Sequence, residues 1–178
     1  MSLIHTVDPQ QAEGTVANIY NEVQAMFGFV PNGMKLDSVN PERMEQHWRA
    51  IGTTLNHPTL SQTFFTCVRY LVSEVQRCEY CIGINAGMLI NMHGVDPETV
   101  GRMAADPTLA PLDEKEKALL LFALRMTEDS NSSGPEDIEA LKGAGCSERE
   151  IYDAVSSAAQ MVAGDIVLNT FKVQPDNG

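Results

Sequence analysis

Apolar residues recur at three- and four-residue intervals along almost the whole chain, and no stretch alternates apolar and polar residues between hairpin turns. This pattern predicts helices and leaves no place for a sheet. Val16, Ile19, Tyr20, Val23, Met26 and Phe27 mark a first helix over about 13–27, with Gly28 as its stop. Phe29 to Gly33 reads as a turn. Asn40-Pro41 supplies an N-cap and a first-position proline for a helix carrying Met44, Trp48, Ile51 and Leu55 inward. Phe64, Phe65, Val68, Leu71, Val72 and Val75 form the next stripe, and Ile82, Ala86, Leu89 and Ile90 continue it. Pattern alone leaves open whether these are one bent helix or two that meet near Arg77.

Further on, Asp96-Pro97 caps a short helix ending near Ala105, and 106–111 is a loop. A helix from Asp113 to about Glu128 turns Leu119, Leu120, Phe122, Ala123 and Met126 inward, and Asp113 with Glu116 resembles a capping box. A polar turn over 129–134 precedes a short helix from Pro135 to Lys142. Ser147 with Glu150 forms a capping box for a last helix. Its inward stripe is read as Ile151, Val155, Ala158, Ala159, Val162, Ile166 and Val167, and the tail 174–178 as loose. The expected fold is one all-α domain of about seven or eight helices. A length of 178 residues and a hydrophobic fraction of 43% suffice for a core and exclude a disordered chain.

The net charge of −12 argues against nucleic acid and against an anionic membrane surface. No apolar run approaches the roughly 20 residues that cross a bilayer, and the first residues lack a basic-then-apolar leader. The expected location is therefore cytoplasmic, where a Cys-x-x-Cys pair points to redox or metal chemistry more than to a structural disulfide.

That pair is Cys78 and Cys81, among Glu74, Arg77, Glu79 and Tyr80. On a helix, or on the turn that opens one, both sulfurs project from one side. One thiolate can then attack an oxidant or disulfide while the other resolves the product. A helix break near Arg77 would set the pair at a helix N-terminus, where the dipole favours a thiolate. The bland alternative is two small core residues. Zinc would need two more ligands, and Cys67, Cys146, His57 and His93 are scattered.

Glu74 lies four residues before Cys78 and could take a thiol proton if the helix is continuous; otherwise it is a solvated acid. Arg77 lies four before Cys81 and is either a thiolate partner or a surface residue. Asn85, four after Cys81, can donate a hydrogen bond to a thiolate but cannot shuttle protons. Cys67 and Cys146 read as structural, and His47 beside Trp48 as a pocket or surface residue. The scattered methionines, among them Met92, read as core filler.

The run Cys78-Glu79-Tyr80-Cys81-Ile82-Gly83-Ile84-Asn85 resembles the core of the AhpD-like, or carboxymuconolactone decarboxylase-like, superfamily. Val7-Asp8-Pro9, 16–20 and 27–32 resemble the opening of its peroxidase-related branch, and 112–120 and 141–151 resemble that branch's C-terminal half. The resemblance implies a single domain over 1–178, with 1–58 an N-terminal helical extension packed on the core. It also implies a homo-oligomer, trimer or hexamer, with thiol-dependent peroxidase activity of peroxiredoxin type. Cys81 would attack a hydroperoxide substrate and Cys78 would resolve the product. An external thiol reductant, lipoyl- or thioredoxin-like, would restore the pair, with no metal or organic cofactor.

Two departures stand out. The family follows its pair with histidine, where this chain has Asn85, and places a glutamate about a dozen residues before the first cysteine, where this chain has Thr66-Cys67. The family's proton relay is absent at both places, with Glu74 the candidate substitute for the glutamate, so slow turnover or a substrate other than a simple alkyl peroxide is expected. The alternatives are a non-enzymatic thiol–disulfide switch or small-molecule-binding oligomer, and a cofactor-free decarboxylase, which would need a cationic carboxylate site that the sequence barely suggests.

Overall fold

The computed structural model describes Ser2–Asp176. Nine α-helices and no strand occur among these residues, as the apolar spacing predicts. They divide into two compact units, one of residues up to Asn56 together with those from Val167, the other His57–Ile166.

In the first unit, α1 (Gly14–Phe27), α2 (Asn32–Asp37) and α3 (Pro41–Leu55) enclose a small core of Val16, Ile19, Tyr20, Val23, Val30, Met34 and Met44. Trp48 and Ile51 pack on it partly buried. Gly28 ends α1 at φ +81°, a left-handed conformation that costs glycine little. Asn40 caps α3 by accepting the Arg43 N–H. The stretch read as a turn is non-helical through Pro31, and α2 begins on its last two residues; its six residues are too short to show a period but bury Met34 and Leu36. The tail is tied down instead of loose. The Asn32 N–H donates to Asp176 Oδ1 at 2.7 Å, and Asn32 Nδ2 donates to the Gln174 carbonyl at 3.1 Å. Asn177 and Gly178 lie outside the described residues.

The second unit is built on α4 (Gln62–Gln76), which packs against α5 (Glu79–Asn91) and α7 (Glu114–Glu128). Around it come α6 (Pro97–Met103), α8 (Pro135–Gly143) and α9 (Glu148–Thr170), whose last turn belongs to the first unit. Phe64, Phe65, Val68, Leu71 and Val72 of α4 are all buried, as are Leu119, Leu120, Phe122, Ala123 and Met126 of α7. Each such large side chain contributes about 1.5–3 kcal/mol. Ser61 caps α4 by accepting the Phe64 N–H, and Ser147 and Glu150 form the reciprocal capping box of α9.

Several stripe residues face outward. Met26, Val75, Met92, Ile166 and Val167 are each between 44% and 57% exposed, and Ala159 is exposed too. In α9 Ile151 and Ala158 are buried as expected, but Ala154 and Asp165 are buried in place of their neighbours Val155 and Ile166. Asp113 does cap α7, but Glu116 does not close a box with it. Its buried carboxylate instead accepts the Ser61 N–H at 2.6 Å and the Ser61 hydroxyl at 2.9 Å, joining the starts of α7 and α4. No helix among the described residues is long and apolar enough to cross a membrane.

Candidate functional site

The chain breaks between α4 and α5 at Arg77, a non-glycine residue in the left-handed region at φ +54°. The Arg77 N–H donates to the Glu74 carbonyl at 3.2 Å and the Cys78 N–H to the Ser73 carbonyl at 3.1 Å, a Schellman-type ending. Two helices therefore meet here, and Cys78 is the N-cap of the second. Its carbonyl accepts the Ile82 N–H at 2.8 Å as the first bond of α5. Cys81 follows one turn inside, so both sulfurs sit at the positive end of the α5 dipole.

The break also separates Glu74 from the pair, because the shared face required a continuous helix. Glu74 hydrogen-bonds the Tyr70 hydroxyl instead, raising the Tyr70 pKa, after burial, to about 12. Arg77 is exposed at the turn.

A residue not anticipated from the sequence completes the cluster. Asp165 projects from α9, and a carboxylate oxygen of Asp165 and the sulfurs of Cys78 and Cys81 all lie within 4.8 Å of one another. The cysteines are 1% and 2% exposed and Asp165 is 0%. Asp165 Oδ1 accepts the Ser73 hydroxyl at 3.2 Å, and Oδ2 is buried without an N–H or O–H donor. Cys67, Cys146, His57 and His93 do not join this group, and three donors are one short of a closed tetrahedral zinc site.

The electrostatics split the two thiols. A hydrogen bond from the Cys81 thiol lowers the Cys78 pKa, helped by the Cys81 backbone N–H and opposed by burial and by Asp165. The same bond raises Cys81, and burial and Asp165 push it further up. Burial raises Asp165 too, partly offset by hydrogen bonds from Cys81, Cys78 and Ser73. The resting pair thus keeps one proton on Cys81 and favours charge on Cys78.

Asn85 is buried one turn beyond Cys81. Its Nδ2 donates to the Cys81 carbonyl at 2.8 Å, not to a thiolate, and its Oδ1 accepts Arg69 Nε at 2.9 Å. Arg69 also donates to Thr66 Oγ1 at 2.9 Å, which lies 3.0 Å from His93 Nε2. Burial lowers the Arg69 pKa to about 10, still cationic at neutral pH. So Thr66 and Asn85, standing where the resemblance places glutamate and histidine, are linked through one arginine.

Of the remaining candidates, Cys67 and Cys146 do not join this cluster. Cys67 is fully buried, its thiol pushed up to about 12 by burial and then by Glu116. Cys146 is buried and also raised. His47 is on the surface of the first unit, with Nδ1 2.6 Å from Asp37 Oδ2.

No family model and no curated protein matches the chain by sequence. Solved structures do match. A peroxidase-related protein from Ralstonia eutropha, described as an alkylhydroperoxidase AhpD core, superposes with a TM-score of 0.87 at 20% identity, over 99% of this chain and 93% of its own. An uncharacterised peroxidase-related protein from Silicibacter gives 0.82 at 23% identity, over 96% of this chain and 91% of its own. A protein of unknown function from Agrobacterium tumefaciens, named for AhpD antioxidant defence, gives 0.64 at 15% identity, over 80% and 97%.

The chain has the AhpD-like fold.

Within this AhpD-like fold, the α4–α5 junction brings the two expected cysteines together and leaves Glu74 turned to Tyr70. Asp165, Ser73 and Arg69 are the residues that sequence reasoning missed. One signal for Asp165 was available: a seven-residue step from Ala158 along the buried stripe lands on it.

Proposed function

We propose that this protein is a dithiol oxidoreductase that reduces hydroperoxides through Cys78 and Cys81. The observation that carries this reading is the placement of both sulfurs at the start of α5, within 4.8 Å of each other and of the Asp165 carboxylate. A pair of purely structural cysteines needs neither a helix N-cap nor a buried acid beside it.

The shared proton gives a route to the order of attack that the family resemblance implies. In the singly ionised pair, transfer of the Cys81 proton along the hydrogen bond to Cys78 makes Cys81 the thiolate. The Cys81 thiolate attacks the distal peroxide oxygen, the O–O bond breaks, and the departing alkoxide takes a proton to become an alcohol. Cys81 is then a sulfenic acid. Cys78 attacks its sulfur, losing its own proton, and water leaves as the disulfide forms. A dithiol reductant returns the pair to thiols by exchange through a mixed disulfide.

The test is peroxide consumption with a dithiol reductant by the wild type, Cys78→Ser and Cys81→Ser. The expected result is turnover in the wild type and none in Cys81→Ser, with a sulfenic acid trapped on Cys81 in Cys78→Ser. A wild type that forms and reduces its disulfide without consuming peroxide would overturn the peroxidase reading in favour of a thiol–disulfide switch.

A further inference from the structure

We propose that Asp165 is the proton-exchanging acid of the Cys78/Cys81 couple, replacing a relay that this chain lacks at Thr66 and Asn85. The inference rests on the dithiol reading above and assigns a third residue to the same site. Its grounds are geometric. The chain holds a carboxylate at 0% exposure, and an isolated carboxylate there would be costly to bury. One oxygen lies 3.2 Å from the Ser73 hydroxyl, whose single proton is shared between it and the Arg69 carbonyl at 2.7 Å. The other has no N–H or O–H donor. The two reacting sulfurs share the same few ångströms.

The groups facing Asp165 are Cys78 and Cys81 from α5 and Ser73 from α4. No lysine, arginine or histidine forms an ion pair with it among the described residues. Asp165 therefore has no cation to hold it permanently ionised, and burial favours its protonated form. That state suits a residue that both gives and takes a proton. When Cys81 attacks, the Asp165 carboxyl supplies the proton that turns the departing alkoxide into alcohol. When Cys78 then attacks the sulfenic sulfur, the Asp165 carboxylate takes the thiol proton and passes it to the departing hydroxide, which leaves as water as the S–S bond forms. The two protons released by the dithiol reductant then restore the thiol of the singly ionised pair and the Asp165 carboxyl. Ser73 is a positioning residue.

The neighbours that were expected to share this role are otherwise engaged. Glu74 is bonded to Tyr70, and Asn85 is bonded at both ends and has no titrating proton.

The experiment compares wild type, Asp165→Asn and Ser73→Ala, each checked for folding by circular dichroism. Two readouts are taken across pH: the rate of disulfide formation with hydrogen peroxide, and the rate of alkylation of the pair by iodoacetamide. Asp165→Asn removes the acid that opposes both thiolates whenever it is ionised, so the alkylation midpoint is expected to fall to lower pH. Oxidation is nevertheless expected to slow by about 10²-fold, the usual weight of one general acid–base group. More acidic thiols together with slower oxidation is a combination that lost packing does not produce. Ser73→Ala keeps the carboxylate and is expected to slow oxidation several-fold, which gives a second reading should Asp165→Asn not fold.

Peroxide oxidation at the wild-type rate and with the wild-type pH profile in either folded variant overturns the role of Asp165. A wild type inert to peroxide, whose exchange with dithiothreitol slows in Asp165→Asn, sinks the peroxidase reading and supports Asp165 as the couple's proton partner.

Discussion

Arg69 Nε donates to Asn85 Oδ1 at 2.9 Å, and the same amide hands its Nδ2 proton to the Cys81 carbonyl. A cation on α4 is thereby coupled to the first turn of α5 through a neutral amide. Asn85, standing where the resemblance places a histidine, braces two helices and has no titrating proton.

This brace predicts a stability cost. Asn85→Ala would leave the half-buried Arg69 Nε and the Cys81 carbonyl each without its partner. Removal of a buried hydrogen-bonding side chain of this kind costs about 1–3 kcal/mol. Urea unfolding should show a lower midpoint with an unchanged slope. Because the Asn85 side chain is bonded to Arg69 and the Cys81 carbonyl and not to a sulfur, the pH profile of alkylation at the pair should stay close to wild type. A midpoint that does not move would mean that the Arg69–Asn85 bond carries no load.

The left-handed Arg77 makes a different prediction. At φ +54° a β-branched residue is strained, and the left-handed region costs about 1–2 kcal/mol for an ordinary residue. Arg77 already carries that cost, so Arg77→Val should lower stability by the further strain of a β-branched side chain and slow alkylation of the pair, because a reshaped turn moves Cys78 off the N-cap. Arg77→Gly should be tolerated or stabilising and leave thiol reactivity intact. Equal behaviour of the two variants would show that turn geometry does not set the reactivity of Cys78.

Glu150 should govern part of the acid stability. Burial raises its pKa, but hydrogen bonds from Lys115, the Ser147 backbone, Thr59 and the Ser147 hydroxyl outweigh burial and hold it at about 2, against an ordinary value of 4.5. The folded state thus binds this proton more weakly than the unfolded state does. The stabilisation is fully present above pH 4.5 and is lost as pH falls toward 2. Glu150→Gln should cost on the order of 2 kcal/mol at pH 7 and almost nothing near pH 2. Denaturant midpoints of the two proteins across this range should converge on acidification, and a constant gap would contradict the assignment.

The helical architecture was legible in the chain because capping chemistry and apolar spacing agree at most boundaries. Asn40-Pro41, Asp96-Pro97 and the Ser147/Glu150 box each begin a helix where expected. The short α2 was not legible, since six residues around Pro31 and Gly33 carry turn signals and no measurable period. The cysteine pair was read, but its electrostatic partner was missed. Asp165 lies in a run with Ile166 and Val167, and hydrophobicity drew the inward stripe to those two residues. Tertiary packing rotated α9 so that the acid is buried and the aliphatics are exposed. The Arg77 break is the other case: no proline or glycine marks it, so only the folded backbone shows that Glu74 and Cys78 do not share a face.

The near-complete burial of both sulfurs has a consequence for the pace of each half of a redox cycle. On the proposed dithiol reading the two reactants differ in size, since a peroxide is small whereas a thiol must line up with the S–S axis to form a mixed disulfide. With both sulfurs this deeply buried, a bulky donor would need the start of α5 to open. Oxidation and re-reduction would then place unequal demands on the same few residues, and the opening of that turn would limit how bulky an electron donor can be.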